Sequence, residues 1–352
     1  MDERLAPEQH DTLPDIPEPA ETPSCIGHDD IATLLAGAYR SGHLHHALLF
    51  SGPTGIGKAT LAFQFARHLL AFPDFETAPA HLEIADTDST LFRQIAIGAH
   101  PGVLHLTRPA ADKGKGFKTV LTVNEVRRVN GFLARTSHDG GYRVIIVDTA
   151  DDMNANAANA LLKNLEEPPK RTVFVLISHA AGRLLPTLRS RCLALPLRSL
   201  PEETLATVLQ RLEVQLPSDP AALAKLFAMA EGSVRNAILL TQHGGMEIAE
   251  AVDTVLEAAQ FDLSAAAKIA SVVSARDAGI PLQLFKRHLV GRIEDSARKA
   301  AHSGQLARAA ELSTFHGDAT ATMRDTEIYN LDKHQSVMDI LRRANAVLHG
   351  RG

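Results

Sequence analysis

The stretch HALLFSGPTGIGKATLA, residues 46–62, indicates the fold of the amino-terminal part of this chain. It begins as a short apolar run, passes through a loop with three glycines and continues with the apolar spacing of a helix. A strand, a glycine-rich loop and a helix in this order form a phosphate-binding unit, because loop amides and the start of the helix attract anions. We therefore expect a phosphate site after the first strand.

The loop departs from the phosphate-loop pattern at one position. The pattern requires Gly, four residues, Gly-Lys and then Ser or Thr, and Ala59 stands where the hydroxyl belongs. That hydroxyl normally holds Mg²⁺, whereas the lysine and the loop amides hold phosphates. The pattern thus predicts weak binding of ATP or ADP, with little or no hydrolysis, and makes a Mg²⁺ ligand here doubtful. The predicted binding residues are Gly52, Pro53, Thr54, Gly55, Ile56, Gly57, Lys58, Ala59 and Thr60.

Strands and helices alternate along residues 103–197. The later candidate strands are VLHLT (103–107), RVIIVD (143–148), TVFVLIS (172–178) and CLALPL (192–197). Between two of them, one apolar helical stripe is formed by Met153, Ala157, Ala160, Leu161 and Leu165. This alternation predicts an α/β domain with a parallel sheet and right-handed crossovers. Beyond residue 199 the pattern is helical only.

Asp148 ends one of these strands, where a carboxylate is placed to hold Mg²⁺ or its water. A hydrolytic site also needs a base beside that carboxylate, and the neighbouring Thr149 cannot act as one at neutral pH. Asp151 and Asp152 follow closely, and we expect them to cap the next helix. Ala59 and Thr149 are therefore departures from an ATPase at two separate catalytic functions.

The first 22 residues differ in composition from the rest. They contain seven acidic residues and four prolines against Arg4 as the only Lys or Arg, so we expect a disordered acidic tail. The formal net charge is −5; without this segment 34 acidic and 35 basic residues remain, a net charge of +1. A nearly neutral folded part predicts that any contact with nucleic acid is local or shared with partners. No apolar run approaches the length that spans a membrane.

Cysteine and histidine content argues against a structural metal. Cys25 and Cys192 are the only cysteines, which suits a reduced cytosolic protein and makes a four-cysteine zinc site impossible. His43, His45 and His46 run directly into the first strand with no Cys or carboxylate at ligand spacing. We expect these histidines to pack or to lie at the surface.

Four segments in this order resemble the clamp-loader branch of the AAA+ family. They are HHALLFSGPTGIGKATLA (45–62), AHPGVLHL (99–106), VIIVDTADDMNANAANALLKNLEEPP (144–169) and LRSRC (188–192). The combination of NALLKNLEEPP with the later SRC is far more specific than the phosphate loop alone. The resemblance covers about residues 24–240. It implies a RecA-like AAA+ domain with a parallel sheet, a helical lid of three helices and an all-helical collar.

The resemblance also implies a role in DNA replication. In this family a ring of loader subunits uses ATP to open a sliding clamp and place it on primed DNA. Arg191 of the SRC motif would reach the ATP site of a neighbouring subunit, and Arg235 would lie near this subunit's own nucleotide. The implied partners are the motor and delta subunits, and indirectly the clamp and primed DNA. Many members carry four zinc-binding cysteines after the first helix, whereas residues 71–100 contain none, so no zinc is expected.

The pattern and the resemblance together predict four segments. These are a disordered acidic tail (1–22), an AAA+ nucleotide-binding domain (23–198), a helical lid (199–245) and a helical oligomerisation, or collar, domain (246–352).

Three functional hypotheses follow. The first is an assembly and trigger subunit of a replicative DNA polymerase complex, cytoplasmic and associated with the nucleoid, whose own ATPase activity is weak or absent. The second is a self-sufficient AAA+ ATPase, such as the motor of a clamp loader or a helicase-type remodeller, which would need a base beside Asp148. The third is a nucleotide-dependent scaffold outside replication, which would have no use for Arg191.

Overall fold

A computed structural model describes residues 4–112, 116–134, 141–276, 278–329 and 331–351. The chain divides into two compact units. Unit 1 comprises Met1–Glu213 and Glu231–Arg235, and unit 2 comprises Val214–Ala230 and Asn236–Gly352.

Unit 1 contains five parallel strands with helices between them. The strands are β1 (Ala47–Ser51), β2 (Val103–Leu106), β3 (Arg143–Asp148), β4 (Thr172–Ser178) and β5 (Leu193–Pro196). The helices are α1 (Asp29–Arg40), α2 (Lys58–Ala71), α3 (Thr90–Ala96), α4 (Val123–Ala134), α5 (Ala155–Glu166), α6 (Pro186–Arg189) and α7 (Glu202–Arg211). All five predicted strands and the α/β class are confirmed.

The sheet has the order β2-β3-β4-β1-β5. Every neighbouring pair is parallel, and the register places Ser51 beside both Ser178 and Pro196, and Asp148 beside Ile177. The carboxyl ends of the strands therefore share one edge. Ligands of open α/β sheets bind outside that edge.

The strands are buried on both faces because their apolar side chains alternate between two cores. Leu48 and Phe50 of β1 pack with α1, α2 and α3 on one face, whereas Ala47 and Leu49 pack with α4, α5 and α6 on the other. β4 is buried at every position. Continuous apolar strands of this kind are typical of a sheet covered by helices on both sides.

The acidic amino-terminal segment is packed against unit 1. Ala6, Leu13 and Ala20 are buried, and a short 3₁₀ turn forms over Pro19–Glu21. Arg67 of α2 donates hydrogen bonds to the carbonyl oxygens of Ala20 at 3.2 Å and Thr22 at 2.6 Å. The prediction of disorder is therefore wrong for residues 4–22, because apolar side chains and backbone carbonyls tie the segment down despite its acidic composition. Residues 1–3 lie outside the described residues.

Unit 2 is helical. Its helices are α8 (Pro220–Ala230), the larger part of α9 (Val234–Gln242), α10 (Gly245–Glu257), α11 (Leu263–Val273), α12 (Gly279–His302), α13 (Leu306–Ile328) and α14 (Lys333–Leu348). Asn345 is buried in α14, and its amide donates to the carbonyl oxygens of Val255 at 3.0 Å and Ala258 at 2.8 Å. These bonds satisfy carbonyls at the end of α10 that have no partner within their own helix.

The compact units do not divide at the boundaries that we predicted for the lid. Of the helices in residues 199–245, α7 belongs to unit 1, whereas α8 and most of α9 belong to unit 2. A lid over 199–245 and a collar over 246–352 stay predictions. No helix in the described ranges is long and apolar enough to cross a membrane.

Candidate nucleotide site

The phosphate loop connects β1 to α2 at the carboxyl edge of the sheet. Gly57 is the N-cap of α2, which begins at Lys58. Gly55 has φ +75°, and a Cβ atom there would lie 2.4 Å from Cβ of Arg235 and 2.6 Å from Oγ of Ser233. Only glycine allows this backbone conformation together with so close an approach.

Two other segments of unit 1 hold the loop in place. His28 Nε2 lies 2.7 Å from the carbonyl oxygen of Ile56, and Cys25 Sγ lies 3.5 Å from that of Gly57. On the other side, Ser233 Oγ donates to the carbonyl oxygen of Thr54 at 2.8 Å. The loop is thereby shaped before any ligand arrives.

The residues of the loop fit a phosphate group. The first amides of a helix have no intrahelical acceptor and carry the positive end of the helix dipole, so the start of α2 favours an anion. Lys58 follows the N-cap directly and supplies a cation at the same end. The loop and the lysine together can hold phosphates of a nucleotide.

Lys58 is buried against its own loop. Its Nζ donates to the carbonyl oxygen of Gly52 at 2.7 Å and to that of Pro53. Burial lowers the pKa of Lys58 to about 8, although Asp148 and Asp151 partly oppose the shift. A buried ammonium group of this kind gains from a phosphate anion, because the anion favours the charged form of the amine.

Asp148 lies at the end of β3, as predicted, with His105 Nε2 3.9 Å from its carboxylate. Burial on its own raises the pKa of Asp148, but the neighbouring imidazoles, His105 first and then His179 and His10, outweigh it and lower the pKa. The carboxylate is therefore ionised at neutral pH. The adjacent Thr149 is buried and supplies no base.

The structure corrects the prediction for Asp151 and Asp152, which do not cap the following helix. Asn154 caps α5, and its side chain accepts from the amide of Ala157 at 2.9 Å. The carboxylate of Asp151 instead accepts from Ser178 Oγ at 2.9 Å and from the amide of His179 at 2.6 Å. A 3₁₀ turn over 150–152 delays the helix start and directs these side chains elsewhere.

Asp152 forms an ion pair across the sheet edge. Its two carboxylate oxygens accept from Nε of Arg108 at 2.7 Å and from Nη2 at 2.5 Å. This bidentate pairing fixes the plane of both groups. Asp152 thus has a structural role as the partner of Arg108, which lies two positions beyond the end of β2.

Arg191 lies at the opposite edge of the sheet from the phosphate loop. It precedes β5, which runs parallel to β1, whereas the loop follows β1. Its Nη1 donates to the carbonyl oxygen of Thr187 at 2.8 Å, and its Nη2 donates to Glu166 at 2.5 Å. The side chain remains 34% exposed. Because each strand residue adds about 3.3 Å, the length of β1 separates Arg191 from this chain's own loop.

Arg235 lies beside the phosphate loop, and its role toward a bound nucleotide stays a prediction. Its amide donates to the carbonyl oxygen of Gly55 at 3.4 Å. Its Nη1 donates to the carbonyl oxygen of Asp11 and lies 3.7 Å from the Asp11 carboxylate. Burial lowers the pKa of Arg235, and the charges of Asp11 and Glu18 partly oppose this.

The two cysteines are free thiols. Burial raises the pKa of Cys25 to about 12 and that of Cys192 to about 11. In the described part of the chain, no three His, Cys, Asp or Glu side chains come together as metal ligands. His46 packs instead, with Nε2 2.9 Å from the carbonyl oxygen of Leu165. The absence of zinc stays a prediction.

Sequence reasoning missed several residues of this site. His10 and Asp11 come from the segment that we predicted to be disordered, and Arg108 and His28 lie in no recognisable motif. His105 lies in the segment AHPGVLHL, but nothing in that pattern marked it as a site residue. A signal existed in the amino-terminal segment, where Leu13 interrupts the acidic and proline-rich composition and is buried. The contact of Asp11 with Arg235 spans 224 positions of the chain, beyond the reach of any local pattern.

Comparison with known proteins identifies the domain that carries this site. Residues 27–201 match the family model described as "DNA polymerase III, delta subunit". This segment is a domain of that family. The match contains β1 to β5, the phosphate loop, Asp148 and Arg191.

Relatives of this polymerase III domain cover part of the chain. The subunit delta' of DNA polymerase III from Pseudomonas aeruginosa is 39% identical over 209 residues, which are 59% of this chain and 59% of the relative. The subunit tau from Escherichia coli is 31% identical over 218 residues, 61% of this chain and 32% of the relative. The alignable part thus spans about three-fifths of the delta' relative's length.

Solved structures similar to this chain have low sequence identity to it. A DNA polymerase III, gamma subunit-related protein from Thermotoga maritima has a TM-score of 0.42 and 16% identity, over 90% of this chain and 99% of that one.

Proposed function

We propose that this chain is a clamp-loader subunit of the delta-prime type within a bacterial DNA polymerase III. It assembles with the motor and delta subunits into a ring that places the sliding clamp on primed DNA. It supplies Arg191 to the ATP site of a neighbouring motor subunit. Its own loop binds ATP or ADP weakly, with little or no hydrolysis. Such a subunit acts in the cytoplasm, at the nucleoid.

The observation that carries this proposal is the separation of catalytic groups within one chain. The loop has Ala59 and the strand end has Thr149, so the two groups that would hold Mg²⁺ and activate water are replaced. Arg191 lies at the other edge of the sheet and remains partly exposed. A guanidinium there suits transfer to a neighbour's phosphates, because its planar donors match an anionic oxygen pair.

The isolated chain should show negligible ATP turnover. A working enzyme turns over on the order of 1 s⁻¹ or faster, and a site without the hydroxyl and the base should fall far below that. A phosphate-release assay on the purified chain measures this turnover. The Lys58→Ala variant is the matched control and gives the background rate. Turnover near 1 s⁻¹ that Lys58→Ala abolishes would overturn the non-hydrolytic role.

The same assay distinguishes this proposal from the alternative function, which is that of a motor subunit or another self-sufficient AAA+ ATPase. The 31% identity with the tau subunit is the observation that favours this alternative. The same domain family therefore supports both roles, and the chemistry beside Asp148 favours the first. A motor would hydrolyse ATP in a Lys58-dependent manner, whereas the delta-prime role requires no such activity.

The affinity for ADP should fall as the pH rises above about 8. Lys58 has a pKa of about 8 in the free protein because of its burial, and a bound phosphate raises it. Binding therefore takes up a proton above pH 8, so affinity is flat below that value and falls by up to about tenfold per pH unit above it. Phosphate groups have already lost their last proton there, since their second pKa is about 6.

Isothermal titration between pH 7 and 9.5, in buffers of different ionisation enthalpy, measures this proton uptake. Lys58→Met is the control, because it removes the titrating group and should flatten the profile at a lower affinity. An unchanged affinity across this range in the native chain would show that Lys58 does not contact the nucleotide.

A further inference from the structure

Residues 4–22, which we name the amino-terminal strap, form a folded segment with its own hydrogen bonds. The Arg4 guanidinium donates to the carbonyl oxygens of Leu13 at 2.7 Å and Ile16 at 3.1 Å. The Glu21 carboxylate accepts from the amides of Ala6 at 3.1 Å and Glu18 at 2.9 Å. These bonds close the strap into a defined shape.

Contacts with α2 and with the turn that follows α3 anchor both parts of the strap to unit 1. Arg67 binds the carbonyls of Ala20 and Thr22 near its carboxyl end. Near its start, Pro7 lies against Gly98, since a Cβ atom built on that glycine would be 3.9 Å from Cγ of Pro7. Both ends of the strap are thereby held against unit 1.

The middle part of the strap lies at the candidate phosphate site. Asp11 engages the Arg235 guanidinium through its carbonyl oxygen and, at 3.7 Å, its carboxylate. Arg235 in turn is packed against Gly55 of the phosphate loop. The adjacent His10 is half-buried; burial lowers its pKa, and Asp148, Asp152 and Arg108 lie near enough for their charges to act on it. Residues 10 and 11 therefore connect the loop side of the site to the end of β3.

We propose that the amino-terminal strap is a built-in competitor of nucleotide, in which Asp11, through its carbonyl oxygen and its carboxylate, holds the arginine that a phosphate group would otherwise bind. This inference rests on the proposed nucleotide site. A tethered anion acts at an effective concentration in the millimolar range. Nucleotide binds only when the strap is displaced, so its apparent affinity is reduced by the fraction of molecules in which the strap is open.

The test uses four full-length chains: the native protein, Asp11→Asn, Leu13→Asp and Glu8→Gln. Asp11→Asn removes the charge beside Arg235, and Leu13→Asp introduces a charge at a buried anchor and releases the strap. Glu8→Gln is the matched control, because it neutralises an exposed acid of the same strap. Isothermal titration with ADP gives the affinity, and hydrogen exchange of residues 4–22 with and without ADP reports the position of the strap.

We expect ADP to bind about tenfold more tightly to Leu13→Asp than to the native chain and equally to Glu8→Gln. Asp11→Asn should bind ADP more tightly than the native chain by a smaller factor, because its backbone carbonyl still binds Arg235. Saturating ADP should speed exchange at the strap amides of Ala6 and Glu18. Equal affinities in all four chains, or slower strap exchange with ADP, would overturn the proposal, the latter by showing that the strap covers the nucleotide.

Failure of the nucleotide site itself gives a different result. In that case none of the four chains binds ADP, even with the strap released, and the competitor role fails with it. Equal but measurable binding would instead retain the nucleotide site and remove only the competitor. Assembly with loader subunits is measured separately and depends on neither outcome.

Discussion

Replacing Arg191 by alanine should lower the ATPase rate of the adjoining motor subunit roughly 10³-fold, the lower end of the effect of arginine fingers. The reason is geometric: Arg191 lies at the opposite edge of the sheet from its own phosphate loop and is partly exposed. Clamp loading should fall in parallel, while folding of this chain and entry into the ring stay nearly unchanged. Arg191→Lys should not restore the rate, because an ammonium group lacks the planar pair of donors.

The assay is the clamp- and DNA-stimulated ATPase of the reconstituted complex with wild-type motor subunits. Arg189→Ala is the matched control, since it removes an exposed arginine two positions away in the same segment. Glu166→Gln tests whether the ion pair between Glu166 and Arg191 matters for the rate, because it removes the carboxylate that binds Arg191 at 2.5 Å. This variant should leave the ATPase rate unchanged. An unchanged rate with Arg191→Ala would leave this residue as a structural arginine.

Replacing Gly232 by alanine should destabilise unit 1 by about 3 kcal/mol. Its φ of +72° alone costs an alanine roughly 1 kcal/mol. In addition, the new Cβ would lie 2.5 Å from the carbonyl oxygen and 2.6 Å from the amide nitrogen of Leu200. Leu200 is held there, because its amide donates to the Gly232 carbonyl at 3.1 Å. Such a backbone clash cannot be relieved by a side-chain rotation.

Gly98→Ala separates the two causes. Gly98 lies in the same unit with φ +71°, but a Cβ atom there meets only Cγ of Pro7 at 3.9 Å. This variant should lose about 1 kcal/mol, the conformational cost alone. The stability of unit 1 is measured by hydrogen exchange of the β1 and β4 amides, under conditions in which these amides exchange only when the unit unfolds. Equal losses in the two variants would show that the contact with Leu200 carries no cost.

The sheet could be predicted from the sequence because its evidence is local. Apolar runs such as RVIIVD and TVFVLIS are buried on both faces. A strand of a parallel sheet that is buried in this way has no polar face, so it is recognisable in the sequence as a continuous apolar run. The phosphate loop was readable for the same reason, since its glycines and Lys58 are consecutive in sequence. Asp148 followed from its place at a strand end.

The missed parts depend on contacts between distant residues. Asp151 looks like a helix cap from its position, yet β4 lies next to β3 and offers Ser178 and His179 as partners. The strap has the composition of a disordered segment, and its order comes from Arg67, which lies more than 40 positions further along. Asn345 likewise satisfies carbonyls of α10, nearly 90 positions away. Such partners cannot be predicted from the composition or the periodicity of a local segment.

The central claim, that this chain is a clamp-loader subunit, is tested most directly by reconstitution with the motor and delta subunits encoded in the same genome. Native mass spectrometry of the purified mixture measures which complexes form and with what stoichiometry. We predict a stable complex that contains this chain, is retained with Lys58→Ala and is required for clamp-stimulated ATPase activity. A motor and delta complex that assembles without this chain, excludes it when it is present in excess, and reaches full clamp-stimulated activity alone would contradict the account.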